Sequence, residues 1–105
     1  MIKEWIAALR SGKYTQGRGF LCRDGRHCVI GVACDLLKDR MSVQIIDGVT
    51  YYDSFSRTAP ATVIKALGTE HLDNIMSLND AGSTFEEIAN LVEQRIQAAM
   101  DSCSS

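Results

Sequence analysis

The chain has a single proline, a single tryptophan and seven aromatic residues in all. With 46% apolar and 23% charged residues, one proline excludes a proline-rich or disordered polymer. No apolar run approaches the roughly 20 residues that cross a bilayer. The opening Met-Ile-Lys-Glu-Trp carries no signal-peptide pattern. The expectation is a soluble cytoplasmic protein with no membrane partner. A length of 105 residues leaves no room for two cores. Residues 1–105 therefore read as one domain, with 101–105, "DSCSS", as a frayed tail.

Catalytic signatures are also missing. There is no Gly-x-Ser-x-Gly elbow, and Gly12-Lys13 is followed by Tyr14 where a phosphate-binding Walker loop needs Ser or Thr. His27 and Cys28 are neighbours, which on a strand sends them to opposite faces. Cys22, Cys28 and Cys34 are each separated by five residues, wider than a zinc knuckle allows. They read as reduced, buried small hydrophobes. No catalytic residue, metal or cofactor is expected.

What is present is uneven charge. The net charge is −2, yet residues 1–40 hold eight Lys/Arg against four Asp/Glu, while residues 41–105 hold three against nine. A basic first part suits an anionic partner. "ALRSGKYTQGRGF", residues 8–20, packs Arg10, Lys13 and Arg18 among glycines that let backbone N–H groups approach an anion, and Arg23 and Arg26 just after it add further cations. A solvated polar loop whose glycines serve only turn geometry is the plainer reading.

Around this loop the elements follow from periodicity. Ile2, Trp5, Ile6 and Leu9 mark a helix over residues 2–10, ended by Gly12. Asp24-Gly25 and Asp47-Gly48 each sit between strand-like runs and predict two hairpins. "CVIGVACDLLKD" between them reads as a buried helix, with a strand over Cys28–Val32 as the alternative, and Gly31 marks close approach of another backbone. A helix with Pro60 in its first turn, capped near Thr58, is expected to stop at Gly68, and a short one to run from His71 to Leu78. Thr84 with Glu87, or Ser83 with Glu86, forms a capping box before a last helix whose inner face is Phe85, Ile88, Ala89, Val92, Ile96 and Ala99. The fold class is α+β: a small antiparallel sheet of two hairpins packed with four to five helices.

"GSTFEEIA" looks like the first helix of a helix-turn-helix unit, but no turn and recognition helix follow, so nucleic acid is not an expected partner. Taken together, Trp5 with "ALRSGKYTQGRG", then "CVIGVACDL", then "SLNDAGSTFEEIANLVE", resemble a family of small proteins encoded in phages and prophages. The likeness covers residues 5–37 and 77–93. His27-Cys28 departs from it, since two adjacent cysteines are frequent there, and Ala59-Pro60 stands where Leu-Pro is more usual. The resemblance implies a phage accessory protein in the host cytoplasm, of the kind that counters bacterial immunity, in some cases by sequestering nucleotide signals.

The expected partner is then a phosphorylated small molecule such as a cyclic nucleotide or an ADP-ribose derivative, held without catalysis. Arg10, Lys13, Arg18 and Arg23 would take phosphate, Gln16 and Gly17 would line the cradle, and Tyr14 or Phe20 would stack on a ring. Asn79 or Asp80 would read a base or a ribose hydroxyl, unless their side chains only bond the local turn. So small a domain has little room for a deep pocket, so a homo-oligomer is expected. The alternative is a protein-interaction module that inhibits a host protein directly through its surface.

Overall fold

Trp5, Ile6 and Leu9 are buried along one face of α1 (Ile2–Arg10), and Gly12 turns the chain away at φ +76°. The structure, a computed structural model, describes residues 1–68 and 74–104, with side chains through residue 100. The Trp5 indole N–H donates to the carbonyl of Val29 at 2.9 Å. That bond satisfies the polar end of an otherwise enclosed ring and docks α1 on the next helix.

Both Asp-Gly pairs form two-residue hairpin turns with positive φ at each central residue, 52° and 79° at Asp24-Gly25, 52° and 81° at Asp47-Gly48. Such left-handed pairs match the twist of the strands they join. The first links β2 (Cys22–Arg23) to β3 (Arg26–His27), and the second links β4 (Val43–Ile46) to β5 (Val49–Tyr52). With β1 (Thr15–Gln16) they form one sheet of order β1-β3-β2-β5-β4. The two expected hairpins are thus joined edge to edge, but the sheet is mixed instead of purely antiparallel, because β1 runs parallel to β3. Gly17 makes this possible: its N–H donates to the His27 carbonyl at 2.8 Å, where a Cβ would come within 2.9 Å of the Arg26 Cβ.

α2 (Val29–Leu36) is a helix, not the alternative strand, and every residue from Val29 to Cys34 is buried. The Cys28 sulfur caps it by accepting the N–H of Gly31 at 3.3 Å. Gly31 lies directly against the backbone of Leu21, where any Cβ would overlap the Leu21 carbonyl oxygen. A short 3-10 turn (Lys38–Arg40) leads to the second hairpin. α3 (Ala61–Leu67) begins later than expected: its N-cap is Pro60, two residues after Thr58, which does not cap it. Proline has no N–H to lose at that place.

α4 (Ile75–Ala81) ends at Gly82 in the left-handed region. The part of its expected span over residues 71–73 lies outside the described residues. Thr84 and Glu87 exchange the two bonds of a capping box, at 2.9 and 3.1 Å, and start α5 (Phe85–Ser104). Its helical backbone enters the stretch read above as a frayed tail. Phe85, Ile88, Ala89 and Val92 are buried, and α5 packs on α1 while α2 packs on α4. The result is an α+β domain with one core on the inner face of the sheet. Among the described residues no helix is long and apolar enough to cross a membrane.

Candidate functional site

The two-residue turn at Asp24-Gly25 sets Arg23 directly opposite Arg26 in the β2–β3 register. Opposed residues of an antiparallel pair share a face, and both arginines are exposed while Cys22, one step away, is buried. The two arginine side chains therefore leave the sheet from opposed positions on its outer face. The nearest compensation is a 3.8 Å contact from Arg23 Nε to Asp24 Oδ2, with both side chains well exposed. Among the described residues no carboxylate pairs with Arg26.

Around this pair lies a recess of about 570 Å³ lined by Gln16, Gly17, Arg18, Phe20, Arg23, Asp24 and Arg26. The lining brings three guanidiniums together with one carboxylate. Arg18 enters from the β1–β2 loop, its Nε donating to the Asn79 carbonyl at 3.2 Å. That carbonyl lies in the last turn of α4, where it also accepts the Gly82 N–H at 3.3 Å, and a cation suits this negative end of the helix. The Phe20 ring lies below Arg23, whose Cζ is 5.1 Å from the ring centroid, and Arg57 approaches the same ring at 4.5 Å.

The loop that shapes the recess is fixed from behind by Asn79, which is fully buried. Its Oδ1 accepts from Gln16 Nε2 and from the Val29 N–H, both at 3.0 Å, and its Nδ2 donates to the Gly17 carbonyl at 2.9 Å. Gln16 Nε2 also reaches the Ser83 carbonyl at 2.7 Å. Asp80 accepts the Gly19 N–H at 3.1 Å. Asn79 and Asp80 therefore reach across to a distant loop and do not merely close their own turn.

Of the residues selected from the sequence, Gln16, Gly17, Arg18, Phe20 and Arg23 line the recess, and Arg10, Lys13, Tyr14, Asn79 and Asp80 do not. Arg10 points the other way, into an ion pair with Glu93 at 2.7 Å and a hydrogen bond to Asn90 on α5. Lys13 is exposed. The Tyr14 hydroxyl donates to Asp35 Oδ2 at 2.6 Å while its ring stands edge-on to His27, with centroids 5.1 Å apart. Burial first, and then Asp35, pushes the Tyr14 hydroxyl up to about 12. Its ring is committed to this inner contact. The sequence does not single out Arg57, and it offers Arg26, which lines the recess, as a cation for an anion but not among the residues assigned to the ligand. Arg23-Asp24-Gly25-Arg26 held the signal, since a two-residue turn forces its flanking residues to face each other.

On the sheet's inner side, Cys22, Cys28 and Cys34 are free and buried. Burial raises the Cys28 thiol to about 11 and raises Cys34 further, so both are neutral, poor nucleophiles. His27 Nδ1 is buried without a hydrogen-bond partner among the described residues, and burial lowers the imidazole below its ordinary value.

The fold and recess define a small α+β domain with a cationic cleft on its outer sheet face. Residues 1–65 match the family described as Domain of unknown function (DUF8296), and the chain belongs to that family. The match contains the whole sheet, the recess lining and Arg57, and stops before Asn79. No curated protein and no solved structure matches the chain.

Proposed function

We propose that this chain is a phage-encoded accessory protein that binds a phosphorylated small molecule, such as a cyclic nucleotide or an ADP-ribose derivative, and sequesters it unaltered in the host cytoplasm. The observation that carries this reading is Arg23 facing Arg26 at the recess. Like charges directly opposed on a sheet destabilise it by roughly 0.2–1 kcal/mol. A phosphate between them converts that repulsion into charge-assisted hydrogen bonds. The recess volume falls within the roughly 300–1,000 Å³ typical of small-molecule sites. Its lining has Asp24 as its sole carboxylate and contains no histidine or thiol, which favours holding a ligand over transforming it. The phage origin rests on the resemblance over residues 5–37 and 77–93.

The test is a thermal-shift screen against cyclic di- and trinucleotides, ADP-ribose compounds and inorganic phosphate, with mass spectrometry of the recovered ligand. A melting-temperature rise with one phosphorylated class, and recovery of that compound intact, supports sequestration. A chemically altered product would instead make the protein an enzyme, and no shift with any of them removes the reading.

The second reading, a module that inhibits a host protein directly, is favoured by β4. This edge strand leaves Val43, Ile45 and Ile46 exposed at 42%, 71% and 53%. An uncovered apolar edge is a template for strand pairing, with a host chain or with a second copy. It predicts co-purification of a host protein with no nucleotide-induced shift.

A further inference from the structure

Phe20 and Arg57 point to a particular class of ligand, an inference that rests on the phosphate-binding reading above. Arg57 lies outside the recess lining, in the connection between β5 and α3. Two features place it there. Asp53 and Ser54, at φ 50° and 71°, form a third left-handed turn that brings Phe55 back onto Tyr52 through N–H···O bonds of 2.8 and 2.9 Å. The Leu21 N–H then donates to the Ser56 carbonyl at 2.7 Å, tying the connection beside the residue that follows Phe20. The Arg57 guanidinium consequently arrives 4.5 Å from the Phe20 centroid, on a ring that also holds Arg23 at 5.1 Å. These two distances keep the Arg23 and Arg57 guanidinium carbons within about 10 Å of each other.

Phe20 is therefore already engaged by two cations through its π-face, a different task from stacking on a base. It fixes two flexible cationic side chains before any ligand arrives. One cation, Arg23, belongs to the recess together with Arg26, and the other, Arg57, stands beyond its rim. Among the described residues no carboxylate pairs with Arg57.

We propose that the site is a two-point clamp for a ligand carrying two phosphate groups spaced by an organic segment, as in a cyclic dinucleotide. One phosphate sits between Arg23 and Arg26, and the second reaches Arg57. Phe20 acts as a positioning residue that keeps the two arms at a set separation. A ligand with one phosphate fills only the inner position.

The test is isothermal titration calorimetry with adenosine monophosphate and cyclic di-adenosine monophosphate, on wild type, Arg57→Ala, Arg57→Lys, Phe20→Leu and Phe20→Trp. The wild type should bind the dinucleotide roughly 10- to 100-fold more tightly than the monophosphate, the worth of one charge-assisted contact. Arg57→Ala should abolish this preference and leave monophosphate affinity unchanged. Arg57→Lys should restore part of it. Phe20→Leu should reduce the preference and Phe20→Trp, which keeps a π-face, should retain it. Equal effects of Arg57→Ala on both ligands, or none on either, would overturn the clamp while leaving a single-phosphate recess standing. Failure of the wild type to bind either compound, or inorganic phosphate, overturns the recess reading and the clamp together.

Discussion

The carboxamide oxygen of Asn79 accepts the backbone N–H of Val29, the first residue of α2, at 3.0 Å across 50 positions of chain. The same side chain donates to the Gly17 carbonyl, so one buried amide joins the last turn of α4, the start of α2 and the loop that forms the recess. Asn79→Ala leaves the buried Val29 N–H and the half-buried Gly17 carbonyl without this partner. Each buried group left unmade costs about 1–3 kcal/mol, so the melting temperature should fall by about 10 °C or more. Asn79→Asp should be no better, since it keeps the acceptor facing Val29 but turns the donor facing Gly17 into a second acceptor. Thermal melts followed by circular dichroism measure this, and a drop of only a degree or two would remove Asn79 as the tie.

Gly31 supplies a separate test of the core. It is buried, and its α-carbon faces the carbonyl of Leu21, the residue just before β2. Gly31→Ala adds one methyl where backbone already stands, and backbone cannot swing aside as a side-chain end can. The expected loss is about 3 kcal/mol or more, read from denaturant midpoints. Gly25→Asn is the comparison: Gly25 has φ +79° with open space around it. Asparagine tolerates that conformation, so the change should cost about 1 kcal/mol or less.

Arg10 separates charge from site. It lies three positions from Lys13 in the same basic stretch, but α1 directs its guanidinium to Glu93, Asn90 and Glu86 on α5. Arg10→Gln should leave phosphate-ligand affinity unchanged. Arg26→Gln should weaken it roughly tenfold or more, with little effect on melting temperature because Arg26 is exposed and unpaired among the described residues. Equal weakening by the two variants would mean that overall charge, not the recess, attracts the ligand.

These contrasts mark what the sequence made legible. The helix over residues 2–10, both Asp-Gly hairpins, the Thr84–Glu87 capping box and the close approach at Gly31 are local signals, decided within a turn or two of chain. The uses of Arg10, Asn79 and Arg57 are not local. Asn79 bonds Gln16 and Gly17 across 63 and 62 positions, so nothing near it in sequence distinguishes a tie across the fold from a turn-forming amide. Arg57 stands alone between serine and threonine, and the Asp53-Ser54 turn together with the Leu21–Ser56 hydrogen bond brings it to Phe20. The parallel pairing of β1 escaped notice because Thr15-Gln16 is two residues long and carries no alternation to read. Nor does "VQII" reveal that a run so apolar would stay uncovered at the sheet's edge.

His27 gives stability a dependence on mild acid. Its imidazole lies half-buried against the Tyr14 ring with Nδ1 unpartnered among the described residues, and desolvation outweighs the attraction of Asp35, while Lys38 adds repulsion. The folded protein therefore holds His27 neutral to lower pH than the unfolded chain does. Between the unfolded value of about 6.5 and the lowered folded value, the unfolded state binds more protons, so stability falls as the solution is acidified. The contribution is complete above about pH 6.5 and is lost as pH drops through the folded value. Melting temperatures taken at half-unit steps from pH 7.5 to 5.5 should decline for the wild type, and more gently for His27→Gln, which has no proton to gain. Parallel declines in the two proteins would assign the acid sensitivity to carboxylates instead.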